Sequence, residues 1–168
     1  NLKCVHCYAH AEDKSFANEL STSQGRDLID DLAGFGAPVL MFSGGEPLVR
    51  KDLPELAEYA VKKGMRAVIS TNGTLITPTM ARTLKEIGLS YVGISLDGMQ
   101  EINDRFRGIN GAFKSALEGI KNSQAAGIKV GLRFTLTQDN QQDFPALLQL
   151  MDDEGIEKFY LSHLNYAV

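Results

Sequence analysis

The sequence contains only two cysteines, no apolar run long enough to cross a membrane and no excess of positive charge. Without a secretory signal pattern, two cysteines argue against a structural disulfide and favour metal binding or redox chemistry. A bilayer-spanning helix needs about 18 or more apolar residues in succession, so we predict no membrane partner. The formal net charge of -4 argues against nucleic acid, because proteins that bind phosphate backbones usually present a basic face. A cytoplasmic location is therefore expected.

What the sequence does contain is the composition of an ordinary globular domain. Of its 168 residues, 43% are hydrophobic and 23% are charged, as is typical of folded soluble proteins. A chain of this length can bury one sizeable core and gives little reason to expect two domains. We expect residues 1–168 to form one core domain.

Short apolar segments alternate with amphipathic segments along the chain, which predicts repeated strand–helix units. Strands are predicted at Val39 to Phe42, Ala67 to Ser70, Tyr91 to Leu96, Val130 to Thr137 and Lys158 to Leu164. Helices are predicted from about Ser23 to Ala33, Leu53 to Lys63, Thr77 to Ile87, Ala112 to Ala126 and Phe144 to Glu154, with a longer connection from Met99 to Gly111.

This alternation predicts a parallel sheet with right-handed crossovers. The pattern alone does not distinguish a doubly wound sheet from a full or partial barrel. In both architectures, ligands bind at the carboxyl ends of the strands. Candidate functional residues are therefore sought directly after each predicted strand.

The two cysteines, Cys4 and Cys7, form a C-x-x-C pair near the start of the chain. By itself this spacing fits half of a zinc site, a thioredoxin-like redox pair or part of an iron–sulfur ligand set. A zinc site would need further ligands, for which the chain offers its three histidines, His6, His10 and His163. The pair alone leaves these alternatives open.

A glycine-rich segment from Ser43 to Pro47 follows the first predicted strand. Gly44 and Gly45 allow a ligand to approach the backbone closely, and the Glu46 carboxylate can pair with an amine. The alternative is a turn with an incidental acid. Its position at a strand end favours the functional interpretation.

Four motifs in this order resemble those of the radical S-adenosylmethionine (SAM) enzymes. They are Cys4 to Cys7, Gly44 to Pro47, Ser70 to Gly73, and Ile94 to Gly98. The family motif is C-x-x-x-C-x-x-C, so Asn1, Leu2 and Lys3 match its spacer and the first cysteine is expected immediately before Asn1. The resemblance covers essentially the whole chain. It implies an α/β fold, a partial (β/α)6 TIM-like barrel, with the first strand also expected upstream.

The resemblance also implies the cofactors, a 4Fe-4S cluster and SAM. Three cysteine thiolates would leave one iron of the cluster for the amino and carboxylate groups of SAM. The residues it assigns are Cys4 and Cys7 to the cluster; Ser43, Gly44, Gly45 and Glu46 to the SAM amino group and its loop; Ser95 and Asp97 to the ribose or carboxylate; Thr71 and Asn72 to the same mouth; and His6 and Tyr8 to the region of the adenine.

Three further residues have two interpretations each. Arg133 interrupts an apolar strand, where a charge is costly unless paired; it binds the SAM carboxylate or forms a salt bridge with Glu46 or Asp97. Arg107 reaches SAM or lies in a surface loop. His163, near the end of the last strand, faces the substrate or is structural.

The resemblance implies a radical SAM enzyme that receives electrons from a donor such as flavodoxin or ferredoxin. The segment from Ser162 to Ala167 resembles the radical SAM enzymes that modify haem precursors, which makes a tetrapyrrole the expected substrate. The alternatives are a peptide-modifying enzyme and a non-catalytic SAM-binding barrel. An auxiliary-cluster region is expected downstream, and the chain as given, with two cluster ligands, is expected to hold a cluster poorly and to be inactive.

Overall fold

Five parallel strands form one sheet in the computed structural model, which describes residues 1–5, 7 and 18–163. The strands are β1 (Val39–Phe42), β2 (Arg66–Thr71), β3 (Tyr91–Ser95), β4 (Lys129–Leu136) and β5 (Lys158–His163). Their spatial order is the order of the chain. A doubly wound sheet instead reverses its strand order at a switch point, so the order observed is that of a barrel segment.

Six α-helices accompany the strands within the described residues. They are α1 (Thr22–Phe35), α2 (Leu53–Lys62), α3 (Pro78–Glu86), α4 (Gln100–Arg107), α5 (Ala112–Ala125) and α6 (Phe144–Asp153). Helix α1 begins with a capping box, in which Ser21 and Gln24 each accept a hydrogen bond from the other's backbone N–H. Such a box satisfies two donors that a helix start otherwise leaves unpaired.

The main core lies between the helices and one face of the sheet. Ile69, Val92, Ile94, Leu132 and Phe134 are all buried there. The opposite face is more open, since Val39, Met41 and Tyr160 are each at least 40% exposed. Side chains along each strand therefore point alternately to the face of the sheet that the helices cover and to the open face, as the period of two along a strand requires.

The predicted strands and helices agree with those observed to within one or two residues at most ends, apart from one connection. Residues 100–107 were expected to lie in an irregular segment, and they form helix α4. Its two apolar residues, Ile102 and Phe106, have helical spacing, but in a segment of otherwise polar residues this pattern is too short to predict a helix. Besides Phe106, the helix buries Asn103, Asp104 and Arg107, whose side chains make polar contacts with neighbouring loops.

Glycine allows one close approach that shapes the site. A Cβ atom on Gly119 of α5 would overlap the carbonyl oxygen of Gly73, in the loop after β2. Gly73 itself has φ of 79°, in the region that favours glycine. Helix α5 can therefore pack directly against the carboxyl end of β2 and fix the loop that follows it.

No helix among residues 1–5, 7 and 18–163 combines the length and apolar character needed to span a membrane.

Candidate functional site

The loops after β1, β2 and β3 meet at the carboxyl edge of the sheet. Glu46, after β1, accepts hydrogen bonds from two residues at the end of β2. These are the hydroxyl of Thr71, at 2.7 Å from Oε1, and the backbone N–H of Asn72, at 2.8 Å from Oε2. The predicted convergence of Glu46, Thr71 and Asn72 is thus observed.

Glu46 is partly buried and retains an open acceptor position. Its Oε1 also accepts the backbone N–H of Leu48 at 3.0 Å, so three of its four lone-pair positions are used and one on Oε2 is not. Burial raises the pKa of Glu46, and the hydrogen bonds from Asn72, Thr71 and Leu48 oppose that effect. The carboxylate is therefore held in place and can accept one further donor.

The start of the chain is tied to the same edge. The side chain of Asn72 donates to Oδ1 of Asn1 at 2.9 Å, and Asn1 donates to Oγ1 of Thr74 at 3.0 Å. Thr74 in turn donates to Oδ1 of Asn72 through both its backbone N–H and its hydroxyl. This ring of hydrogen bonds fixes Asn1 beside the loop after β2, three residues before Cys4.

The loop after β3 is held by polar residues that were not predicted. The Asn103 side chain accepts the backbone N–H of Asp97 at 3.0 Å. Asn140, fully buried, donates to the carbonyl oxygens of Asp97 and Thr135 and accepts the N–H of Thr137. Asp143 accepts the N–H of Met99 at 2.7 Å. These contacts join the carboxyl ends of β3 and β4.

The segment that carries the cysteines packs against the end of α4. The N–H of Lys3 donates to the carbonyl oxygen of Arg107 at 3.1 Å, and the N–H of Val5 to that of Phe106 at 2.9 Å. Gly108 follows with φ of 70°, and a Cβ atom there would lie 2.5 Å from the carbonyl oxygen of Lys3. Gly108 thus serves both the left-handed helix end and the close approach of the cysteine segment.

Arg107 connects this segment to the loop after β3. Its Nη2 lies 2.5 Å from Oδ2 of Asp97, and its Nη1 donates to Sγ of Cys4 at 3.6 Å. Asp97 is 1% exposed and Arg107 is 9% exposed. The sequence predicted that Arg133 either binds SAM or pairs with Glu46 or Asp97, but the ion pair of Asp97 is with Arg107. The predicted alternative for Arg107, a position in a surface loop, is wrong because Arg107 is buried.

Arg133 lies on the open face of the sheet. Its guanidinium lies 5.4 Å from the centre of the Tyr160 ring, and its Nη2 lies 3.7 Å from Sδ of Met41. In the part of the chain that the structure describes, no carboxylate is within ion-pair distance of it, so the predicted salt bridge with Glu46 or Asp97 is not formed. Ser95 is its neighbour across the sheet, which leaves both side chains on the face where a ligand would bind.

Tyr91, which the sequence did not indicate as a site residue, fills the space beside Arg133. Its hydroxyl lies where side chains on Gly93 and Gly131, neighbours across β3 and β4, would otherwise be. Burial raises the pKa of Tyr91 to about 12, and the neighbouring Tyr160 adds to this effect. The phenol therefore stays protonated at any physiological pH. A signal was present in the sequence, since Gly93 and Gly131 lie inside predicted strands, where glycine often marks the close approach of another group.

The remaining predicted residues are Ser43, Gly44, Gly45, His163, His6 and Tyr8. Ser43, Gly44 and Gly45 are exposed beyond β1, and nothing lies within 4 Å of a Cβ atom built on Gly44. His163 is exposed and lies on the same face of β5 as Phe159 and Leu161, whereas Tyr160 and Ser162 lie on the open face. Its role toward a substrate stays a prediction. His6 and Tyr8 lie outside the described residues.

The donor set of the cysteine segment fits an iron–sulfur cluster. Cys4 and Cys7 are half-buried thiols outside any disulfide, and thiolates are the ligands such clusters take. In the described ranges, no three histidine, cysteine or acidic side chains converge into a metal site. At the carboxyl end of β1, Gly44 and Gly45 are exposed, as the approach of a second cofactor to their backbone requires.

Comparison with known proteins gives consistent matches. The model of the Radical SAM superfamily matches residues 1–151. Fe-coproporphyrin III synthase of Methanosarcina barkeri (strain Fusaro / DSM 804) is 64% identical over 167 residues, covering 99% of this chain and 42% of that protein. Pre-heme d1 synthase of Dinoroseobacter shibae (strain DSM 16493 / NCIMB 14021 / DFL 12) is 50% identical over 167 residues, covering 99% and 41%. The chain thus spans about two fifths of these relatives.

A solved structure with the same fold is native anSMEcpe with bound AdoMet and Kp18Cys peptide. It matches with a TM-score of 0.82 at 19% identity, over 98% of this chain and 48% of that one. At this identity the likeness supports the fold alone. The predicted α/β fold of a partial barrel is confirmed, while a sixth unit and a strand before Asn1 stay predictions.

The approach of Gly108 to Lys3 gives a test of the cysteine segment's position. In the intact protein without cofactors, Gly108→Ala should free this segment, because the new methyl group would clash with the Lys3 carbonyl. We expect alkylation of Cys4 by iodoacetamide, followed by peptide mass spectrometry, to become several-fold faster. Gly111→Ala is the matched control, since Gly111 has φ of 85° but no atom within 4 Å of a Cβ. Equal rates in the two variants would contradict the packing described.

Proposed function

The chain belongs to the radical SAM superfamily, and on that basis we propose that the intact protein is a 4Fe-4S enzyme that cleaves SAM and modifies a tetrapyrrole. One observation carries the proposal: the cysteine segment is fixed beside the carboxyl ends of β2 and β3. Asn1 is bonded to Asn72 on one side, and Cys4 to Arg107 on the other. Cluster ligands and SAM-binding loops therefore share one edge of the sheet.

A tetrapyrrole is the best-supported substrate class. The two relatives at 64% and 50% identity are named a coproporphyrin synthase and a pre-heme d1 synthase. The neighbour with a bound peptide is only 19% identical, so it supports the fold and not a peptide substrate. Tetrapyrroles of this kind carry carboxylate side chains, and the open face offers the Arg133 guanidinium, for which the described residues supply no carboxylate.

The thiolates of Cys4 and Cys7 would hold two irons of the cluster. The chemistry that a bound cluster would supply is the transfer of one electron to SAM, which would split into methionine and a 5′-deoxyadenosyl radical able to remove hydrogen from the substrate. We propose that flavodoxin or ferredoxin provides the electron, in the cytoplasm. The barrel interior limits contact of reactive species with water; Met41, Tyr91 and Tyr160 line part of it.

Glu46 would accept the SAM amino group. Its Oε2 retains a free acceptor position next in sequence to the exposed Gly44 and Gly45, and a partly buried carboxylate forms strong hydrogen bonds with a charged amine. Thr71 and Asn72 hold Glu46 in this orientation. Ser95, on the open face next to Arg133, would contact the ribose or carboxylate of SAM. The Asp97 carboxylate is buried and bonded to Arg107 and to the N–H of Thr135, so Asp97 would serve SAM by holding the loop after β3 in place.

The proposed function predicts two measurable properties of the intact protein. After anaerobic reconstitution it should contain iron and sulfide, with the EPR signal of a reduced 4Fe-4S cluster. With dithionite and SAM it should release 5′-deoxyadenosine, and Cys7→Ala should abolish the release and most of the cluster. Cluster content in Cys7→Ala equal to that of the unchanged protein would refute the role of Cys7, and a reconstituted cluster without 5′-deoxyadenosine would favour a non-catalytic SAM-binding barrel.

The raised pKa of Glu46 predicts a pH dependence of SAM binding. Only the ionised carboxylate attracts the SAM ammonium group, so affinity should be full above the pKa of Glu46 in the folded protein. It should decline as the pH falls through that pKa, and the decline should begin at a higher pH than for an ordinary glutamate.

Glu46→Gln should remove this pH dependence and weaken SAM binding by about tenfold to a hundredfold. A hydrogen bond to a charged group contributes about 1.5–3 kcal/mol. Equilibrium dialysis with SAM across a pH series measures both effects. Glu101→Gln, an exposed acid on α4, is the control and should bind normally. A Glu46→Gln protein with unchanged affinity would exclude the assigned contact.

A further inference from the structure

Arg107 is the one arginine among the described residues whose guanidinium contacts a cysteine sulfur. The sequence left its role between a contact with SAM and a surface loop; in the structure it contacts Cys4 and Asp97. Nη1 donates to Sγ of Cys4 at 3.6 Å, and Nη2 pairs with Oδ2 of Asp97. The guanidinium thus uses its two terminal nitrogens for two different partners, one sulfur and one carboxylate.

Burial gives the contact with Cys4 more weight than a surface contact would have. The side chain of Arg107 is 11% exposed and that of Asp97 is 2% exposed. Charges interact more strongly away from water. A buried guanidinium is costly without a partner, and Asp97 supplies one. Asp97 thereby fixes the guanidinium so that the other nitrogen remains directed at Cys4.

The backbone at the end of α4 also holds Cys4, the residue whose sulfur accepts the hydrogen bond from Arg107. The N–H groups of Lys3 and Val5 are bonded to the carbonyl oxygens of Arg107 and Phe106. Cys4 is therefore held between two residues that are attached to the same helix end as the guanidinium. The distance between Nη1 and Sγ is therefore set by this local packing.

We propose that Arg107 is a positioning residue that raises the reduction potential of the cluster through its hydrogen bond and charge at Cys4. The inference rests on the proposed function, because it requires that Cys4 ligate a cluster. Hydrogen bonds to sulfur and nearby charge are among the factors that set cluster potentials. Reduction adds one electron to the cluster, and a donor with positive charge at a ligand sulfur stabilises the more negative state.

The test is the midpoint potential of the cluster in the intact protein, measured by EPR-monitored redox titration without SAM. Arg107→Gln should make the cluster harder to reduce, with at least a tenfold smaller equilibrium constant for reduction. For a one-electron couple this is a fall of about 59 mV. Arg107→Lys retains a charge but not the planar fork that reaches two partners, so it should show a smaller fall.

Arg105→Gln is the matched control. Arg105 is an exposed arginine on the same helix and interacts with the Phe106 ring, so its replacement should leave the potential unchanged. A normal cluster content with an unchanged or higher potential in Arg107→Gln would overturn the inference. A fall that occurs only when SAM is present would also overturn it, because Arg107 would then act through SAM.

A measurement on the unsubstituted protein covers the case in which both Arg107 variants lose the cluster or fail to fold. Protein labelled with 15N in the arginine guanidinium groups should show a 15N coupling in the pulsed EPR spectrum of the reduced cluster. No such coupling would refute the contact. Failure of the proposed function is distinguishable, because the unsubstituted protein would then lack a 4Fe-4S cluster altogether.

Discussion

The packing of the cysteine segment against the end of α4 is the constraint on which the site depends. Two backbone hydrogen bonds, from Lys3 and Val5, attach the segment to Arg107 and Phe106. Gly108 permits the close contact because it has no side chain. A segment with little regular structure of its own is thereby fixed to the folded core, and its two thiols lie beside the carboxyl ends of the strands.

Buried polar groups then connect this helix end to the other loops at the carboxyl edge of the sheet. Arg107 pairs with Asp97, Asn140 joins Asp97 to the end of β4, and Glu46 joins the loop after β1 to the end of β2. Each of these groups would be costly to bury alone. Since each satisfies a partner on another loop, the edge holds several polar atoms rigidly and still leaves an acceptor position on Glu46 for a ligand.

Much of the fold could be predicted from the sequence because it depends on local patterns. Apolar runs and glycine stops located β1 and the four strands after it, and the residues after those strands gave Glu46, Thr71 and Asn72. Helix α4 was missed, because its apolar pattern is limited to Ile102 and Phe106, and its buried polar side chains bond to neighbouring loops. The contact of Arg107 with Asp97 and Cys4 could not be predicted either, since it joins three separate segments. Asn140 follows a strand as many turn residues do, and its burial is decided only by the packing of neighbouring loops.

The central claim is that the cluster and SAM bind side by side at the edge where the cysteine segment meets the strand ends. EPR spectra of the reduced intact protein, recorded without SAM and with SAM labelled with 15N in its amino group, test it most directly. The account predicts that saturating SAM changes the spectrum of the cluster and introduces a coupling to the labelled nitrogen. An unchanged spectrum, under conditions where equilibrium dialysis shows that SAM is bound, would contradict it.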